Sequence, residues 1–392
     1  MLIVFILLGF QSYCKSEEKG LSVEEYLASY LLLSSGANSK NMDPVLLSIL
    51  SDAMPEGLFV AVGDNGRTLT TSDGINWENE NTITDYHLNG IAYGFNRFVA
   101  VGSSGKMHTT DGGLTWIAEG KQNDRLIDVI FAEDRFVAAG EAGRRVISRD
   151  GVNWNNDIVS GSTLNALAHG NVNITVDGIT DNYSVIYAGG FSARLTRSTT
   201  GGANWKNYTL NSSSEILGMT YNPITSEFMA VGQNGLIANS TDGETWSVIQ
   251  EDNSEKLNDI IYTPSGYITV GINGRILSSY NGQSWTIIDP GLNFNDTLFS
   301  ITYGNGSYVA VGINGRRIHS NDAVNWTVTG TGGFSLRDVE FVDGFSTDTS
   351  GNWDQVCHTH VHVHDNIADL RHSHWHCHSQ TERKNIHNHP HD

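Results

Sequence analysis

From residue 57 to residue 345 the apolar residues fall in short runs, each ended by glycine or a small polar residue. The clearest are Phe59-Val60-Ala61-Val62-Gly63, Phe98-Val99-Ala100-Val101-Gly102, Phe136-Val137-Ala138-Ala139-Gly140 and Tyr308-Val309-Ala310-Val311-Gly312. A second apolar run precedes such a segment at Leu88 to Tyr93, Leu126 to Phe131, Leu164 to His169, Ile216 to Tyr221, Leu257 to Tyr262 and Leu298 to Tyr303. Runs of this length, bounded by turn residues, predict β-strands. Behind them a tryptophan recurs at Trp77, Trp116, Trp154, Trp205, Trp246, Trp285 and Trp326, at intervals of 39, 38, 51, 41, 39 and 41 residues. Each period reads as an inner apolar strand, a Val-rich strand, a strand after a glycine turn and a strand from the tryptophan onward. Four short strands in a period of about 40 residues describe a propeller blade. The long interval is assigned to an insertion around Gly170–Tyr183.

The first period lacks its inner strand, and after the last one Leu336-Arg337-Asp338-Val339-Glu340-Phe341 stands without a blade. Joining the two closes the ring and removes two open sheet edges. The sequence therefore predicts an all-β, seven-bladed β-propeller closed by a split blade. The domains are a signal segment (1–14), a tether with a short helix at Val23 to Leu33 (15–56), the propeller (57–345) and a disordered His-rich tail (346–392).

Each tryptophan closes a turn-rich segment, among them Ser72-Asp73-Gly74-Ile75-Asn76-Trp77, Asp150-Gly151-Val152-Asn153-Trp154 and Asp242-Gly243-Glu244-Thr245-Trp246; Thr110-Asp111-Gly112-Gly113-Leu114-Thr115-Trp116 is a longer copy. These residues resemble the Asp-box, or bacterial neuraminidase repeat. With the Val-Gly-x-x-Gly that precedes the box, the period resembles the photosystem II assembly and stability factor family over about residues 57–344. That resemblance implies a propeller that binds protein and assists assembly. Sialidases also carry Asp-boxes, so a carbohydrate-active hydrolase is one alternative, and a surface metal-binding protein acting through the His-rich tail is the other. The arginine triad and nucleophilic tyrosine of those enzymes find no assignment here. The turns themselves read as structural, since Gly supplies positive φ while Ser, Thr and Asp bond nearby amides.

The formal net charge of −20 argues against nucleic acid as partner. Residues 1–10 are almost wholly apolar and Cys14 follows, which resembles a bacterial lipoprotein signal. Cys14 is the expected lipidation site, and the chain is expected to be an exported, membrane-anchored monomer of the cell envelope. The only other cysteines are Cys357 and Cys377.

Three sets of residues could form a site. A basic residue follows the glycine turn at Arg67, Lys106, Arg144, Arg194, Arg275 and Arg316, while Leu236 breaks the series. In a closed ring these would share one face as a basic crown for a protein or an anionic glycan. Asp128, Asp259 and Asp338 stand on inner strands and would line the central channel. The tail carries His358, His360, His362, His364, His372, His374, His376 and His378. Histidine at alternate positions suits Zn or Ni. No cofactor is required by this reading, and the chain is expected to be a binding scaffold and not an enzyme.

Overall fold

The computed structural model describes residues 57–343, apart from 104, 110–114, 119–124, 177–178, 253–254 and 294, together with the strands 355–363 and 371–379. The signal segment with Cys14, the tether and its helix, residues 110–114 of one turn segment, and His364 lie outside the described residues.

The propeller consists of seven four-stranded antiparallel sheets. Six are built from consecutive strands, beginning with the inner strands Leu88–Gly94, Leu126–Ala132, Leu164–Val176, Ile216–Asn222, Leu257–Thr263 and Leu298–Gly304. We number these sheets two to seven. Sheet one is assembled from both ends of the domain: Leu336–Val342 pairs with Leu58–Gly63, which continues into Arg67–Thr71 and Glu78–Thr82. Phe59 faces Phe341 and Val60 faces Glu340 across that junction. Each inner strand packs on the next, and Leu336–Val342 packs on both Leu298–Gly304 and Leu88–Gly94, so the ring is closed.

The hydrophobic pattern follows from the sheets' position. The second strand of each sheet is covered on both faces, so it reads as a continuous apolar run without alternation. Phe59, Val60, Ala61 and Val62 are fully buried. The fourth strand is the rim, and Glu78–Thr82 is exposed throughout. Core clusters lie between neighbouring sheets, and each contains one of the seven repeated tryptophans. Trp246 of sheet five meets Tyr187 of sheet four edge-on, with centroids 5.2 Å apart. Burying such rings contributes about 2–3 kcal/mol each and fixes the spacing of the sheets.

The insertion is a lengthened hairpin. Leu164–Val176 pairs with Ile179–Gly190 as far as Val176 opposite Ile179. Its Val172 and Ile174 are buried against sheet five, where the Tyr221 hydroxyl donates to the Asn171 carbonyl.

One expectation is corrected. The tail is not wholly without order: Gln355–Val363 and Arg371–Ser379 pair as an antiparallel ribbon. Thr359, Val361 and Val363 alternate with histidines there, a period of two that suits a strand. At Lys106 the backbone register differs from that of the other turns: Val101 pairs with Lys106, whereas the equivalent Val62 pairs with Thr68, one residue beyond Arg67.

Candidate binding face and central channel

The turn before each arginine is built alike. In Gly63-Asp64-Asn65-Gly66-Arg67 the backbone of Asn65 is left-handed at φ 53°, and the Arg67 amide donates back to the Asp64 carbonyl. The Asp64 amide donates to Ser335 O in the connector leading to the inner strand. The two segments come so close that a Cβ on Gly63 would lie 2.0 Å from Ser335 O. Glycine ends the Val-rich strand because of that approach. The turn therefore places residues 67, 144, 194, 275 and 316 equivalently, at the end of the ring that also carries the connectors between sheets.

Three of these arginines are engaged by the fold. Arg67 is 3% exposed, pairs with Glu80 and donates to the carbonyls of Gly332 and Phe334. It thus ties sheet one to the connector that brings the chain back to close the ring. Arg316 pairs with Asp296 at 2.7 Å, both largely buried, and Arg275 pairs with Glu255. Close by, Arg337 pairs with Asp64 across the closure.

Arg194 differs. It is half-buried, its guanidinium donates to the carbonyls of Ser160 and Ser162, and Phe191 of the same turn is 54% exposed. Arg145 lies near it, buried over the Trp205 ring and donating to the carbonyls of Gly143 and Ser160. Burial, with the like charge of Arg194, pushes Arg145 down to about 10; burial also lowers Arg194. Among the described residues no carboxylate pairs with either. Arg144 is half-buried at the start of the same strand, Arg144–Ser148.

At the ring's centre the aspartates hold neighbouring sheets together. Asp128 of sheet three accepts from the Leu167 amide of sheet four at 2.7 Å. Asp259 of sheet six accepts from Ile301 of sheet seven at 2.9 Å. Asp338 of sheet one accepts from Ile91 of sheet two at 2.8 Å and from the Ser300 hydroxyl at 2.6 Å. Each also accepts from the amide of the residue that follows it. Asn89, Asn165 and Asn258 add side-chain bonds to the carbonyls of Leu126, Ile216 and Leu298 on the next sheet. Burial raises the carboxyls of Asp128 and Asp338, and it pushes Asp259 up to about 7. Burial, then repulsion from Asp338 and Asp128, pushes Glu340 up to about 8. Among the described propeller residues no group of three or more His, Cys, Asp or Glu side chains is placed to hold a metal ion.

Glu340 and His169 also line a cavity of about 320 Å³ with Tyr93, Phe131 and neighbouring apolar residues. His169 Nε2 lies 2.8 Å from Ser184 Oγ, whose hydroxyl donates to Glu133 at 2.6 Å. The carboxylate accepts the serine's hydrogen bond instead of orienting the histidine, which differs from a nucleophilic triad. Sequence reading misses this trio because Ser184 belongs to the inserted hairpin and has no counterpart in other periods.

The rim turns use their aspartates locally. Asp73 accepts from the amides of Ile75 and Asn76, and Asp150 from those of Val152 and Asn153. Trp154, Trp205 and Trp285 donate to a glycine carbonyl three residues back.

No protein-family model matches the chain, and no curated protein matches it. Solved structures do. One described as YCF48 bound to D1 peptide aligns with TM-score 0.53 at 19% identity, covering 66% of this chain and 86% of its own. This chain shares the YCF48 fold. YCF48 from Cyanidioschyzon merolae aligns at 0.45 and 16%, covering 62% and 84%, and a chain of a nidogen/laminin complex at 0.45 and 13%, covering 73% and 97%. The likeness extends to the propeller as a fold, at identities too low to carry residue roles across.

Proposed function

We propose that this chain is an exported, non-catalytic propeller that binds a protein segment bearing a negative group, in the manner of an assembly factor, and is anchored through lipid on Cys14. The observation that carries the binding reading is the Arg145–Arg194 pair beside exposed Phe191, because among the described residues its positive charge is met by carbonyl oxygens and the Trp205 ring but by no carboxylate. A carboxylate presented there would accept charge-assisted bonds from Arg194, with Arg145 adding to the local field. The D1 peptide bound to YCF48 supports a peptide as ligand class. The apolar segment before Cys14 supports export.

A peptide library of varied charge, selected against the propeller and re-measured by calorimetry, tests the reading. Enrichment of acidic peptides is expected, and Arg194→Gln should weaken the selected peptide about tenfold, the worth of one charge-assisted bond. Selection of neutral or basic peptides, indifferent to Arg194, would refute it. Cys14→Ser should release the chain from the membrane fraction; unchanged fractionation would place any anchor elsewhere.

A further inference from the structure

The rim turn of sheet six departs from its counterparts. Asp73, Asp150 and Asp322 each accept from an asparagine side chain three residues on, Asn76, Asn153 and Asn325. In sheet six that pair is Asn281 and Ser284. Asn281 Oδ1 still accepts the two turn amides, of Gln283 and Ser284. Its side-chain nitrogen and the Ser284 hydroxyl no longer serve the turn, and the turn carries no charge. Tyr280 stands where the other described turns have Ser72, Arg149, Thr199, Thr241 and Asn321, and it is 86% exposed.

Beside this turn lies a hollow of about 360 Å³, lined by Ser265, Ser278, Tyr280, Asn281, Ser284 and Thr286. The sheet explains it. Ser278 pairs with Thr286, and both side chains are short. The register equates Ser278 with Asn239 of sheet five and His319 of sheet seven, and Gly266 with Glu227 and Ser307. Those sheets bridge the two positions with longer pairs, Asn239 donating to Glu227 and His319 bonded to Ser307. Sheet six has no such bridge. A Cβ on Gly266, at φ 112°, would collide with the Ser279 carbonyl oxygen, so no side chain closes that corner. Among the described residues nothing hydrogen-bonds the side-chain hydroxyls of Ser265, Ser278, Ser284 or Thr286.

We infer that this hollow binds one pyranose unit of a neutral polysaccharide. Hydroxyls both donate and accept, and so match the hydroxyls of a sugar, while the Asn281 side-chain nitrogen adds a donor. The exposed Tyr280 ring offers its electron-rich face to the C–H face of a pyranose. No charged side chain lines the hollow, so an ionic ligand would lose water there without gaining a partner. The strand Ile276–Ser279 leads from Arg275 to this turn, so the sugar site and the arginines lie at opposite ends of the sheet. The inference therefore does not rest on peptide binding.

Affinity electrophoresis of the full chain in gels containing dextran, mannan, galactan or β-glucan tests it. Retardation by at least one of these is expected, and it should persist at high salt because no ion pair is involved. Tyr280→Ala should weaken binding about tenfold or more, whereas Tyr280→Trp should keep it within about threefold. Ser278→His refills the hollow as His319 does in sheet seven. It should weaken binding about tenfold or more with melting unchanged, which separates loss of the site from loss of the fold. Absence of retardation in every gel, or retardation that survives both Tyr280→Ala and Ser278→His, would overturn the inference. So would retardation confined to an acidic polysaccharide such as polygalacturonate and lost at high salt.

Discussion

The aspartates at the centre of the ring and those in its rim turns make the same kind of bond, carboxylate oxygen to backbone amide, yet their acidities move in opposite directions. Asp259 accepts two amides and is pushed up to about 7 by burial. Asp150 accepts two amides and the Asn153 side chain. Burial alone would raise it, but those bonds outweigh it and hold it at about 2. Solvent and neighbours decide the difference. The central carboxyls repel one another, whereas each rim aspartate stands alone at the surface of its turn. Hydrogen bonding therefore predicts acidity only together with burial. The central set exchanges ionisation for a latch between sheets, and the rim set shapes a turn while remaining charged.

Removing the latching strand should have the largest effect. Deleting Leu336–Phe341 takes away Asp338, opens the inner edge of sheet one and uncovers the faces of sheets two and seven that packed on it, so the chain should aggregate. Size-exclusion chromatography reads this directly, and a monomer with unchanged melting would contradict the closure. Next, Asp338→Ala leaves the Ile91 amide and the Ser300 hydroxyl without their acceptor. A loss of about 3 kcal/mol in denaturant unfolding is expected. A loss below about 1 kcal/mol would mean that the centre needs no latch.

The pH profile sharpens the comparison. A carboxyl with a folded pKa above its unfolded value takes up protons on folding, so its stabilisation is complete below the unfolded value and fades as pH rises. From about 4, the unfolded value, stability should fall as pH rises through about 7 for Asp259 and about 8 for Glu340. Asp259→Asn should flatten that slope. Rim aspartates such as Asp73 and Asp150, both near 2, contribute above about 4 and lose their contribution as pH falls toward 2. A stability that rises between about pH 5 and 8 would invert the assignment. The smallest effect is expected of Asp150→Asn, under about 1 kcal/mol at neutral pH, the scale of one neutral hydrogen bond. Asn281 of sheet six already holds the same two amides, of Gln283 and Ser284.

The ring and its closure are legible in the sequence because tryptophan and glycine mark every period, and because Leu336 to Phe341 repeats an inner strand. The channel position of Asp128, Asp259 and Asp338 is legible too, by alignment of those strands. Their roles are not, since the partners are backbone amides of another sheet, which no residue type announces. The crown shows the same limit. Its arginines repeat, but their partners Glu80, Glu255 and Asp296 lie 13, 20 and 20 residues away in variable segments. A periodic search sees the cation and not the carboxylate that occupies it. The tail ribbon escapes such a search because histidine is no strand former, although the alternation of Thr359, Val361 and Val363 beside it is legible.

The central claim is that the repeated arginines divide into those that hold the ring and those that bind. The most direct measurement sets Arg316→Gln beside Arg194→Gln, recording for each the melting temperature and the affinity for the acidic peptide selected on the unaltered propeller. Arg316→Gln strands the largely buried Asp296 and should cost about 3 kcal/mol of stability, with affinity unchanged. Arg194→Gln should leave melting nearly unchanged and weaken the peptide about tenfold. Equal loss of affinity in both, with melting preserved, would show that the arginines act as one undivided crown and would contradict the account.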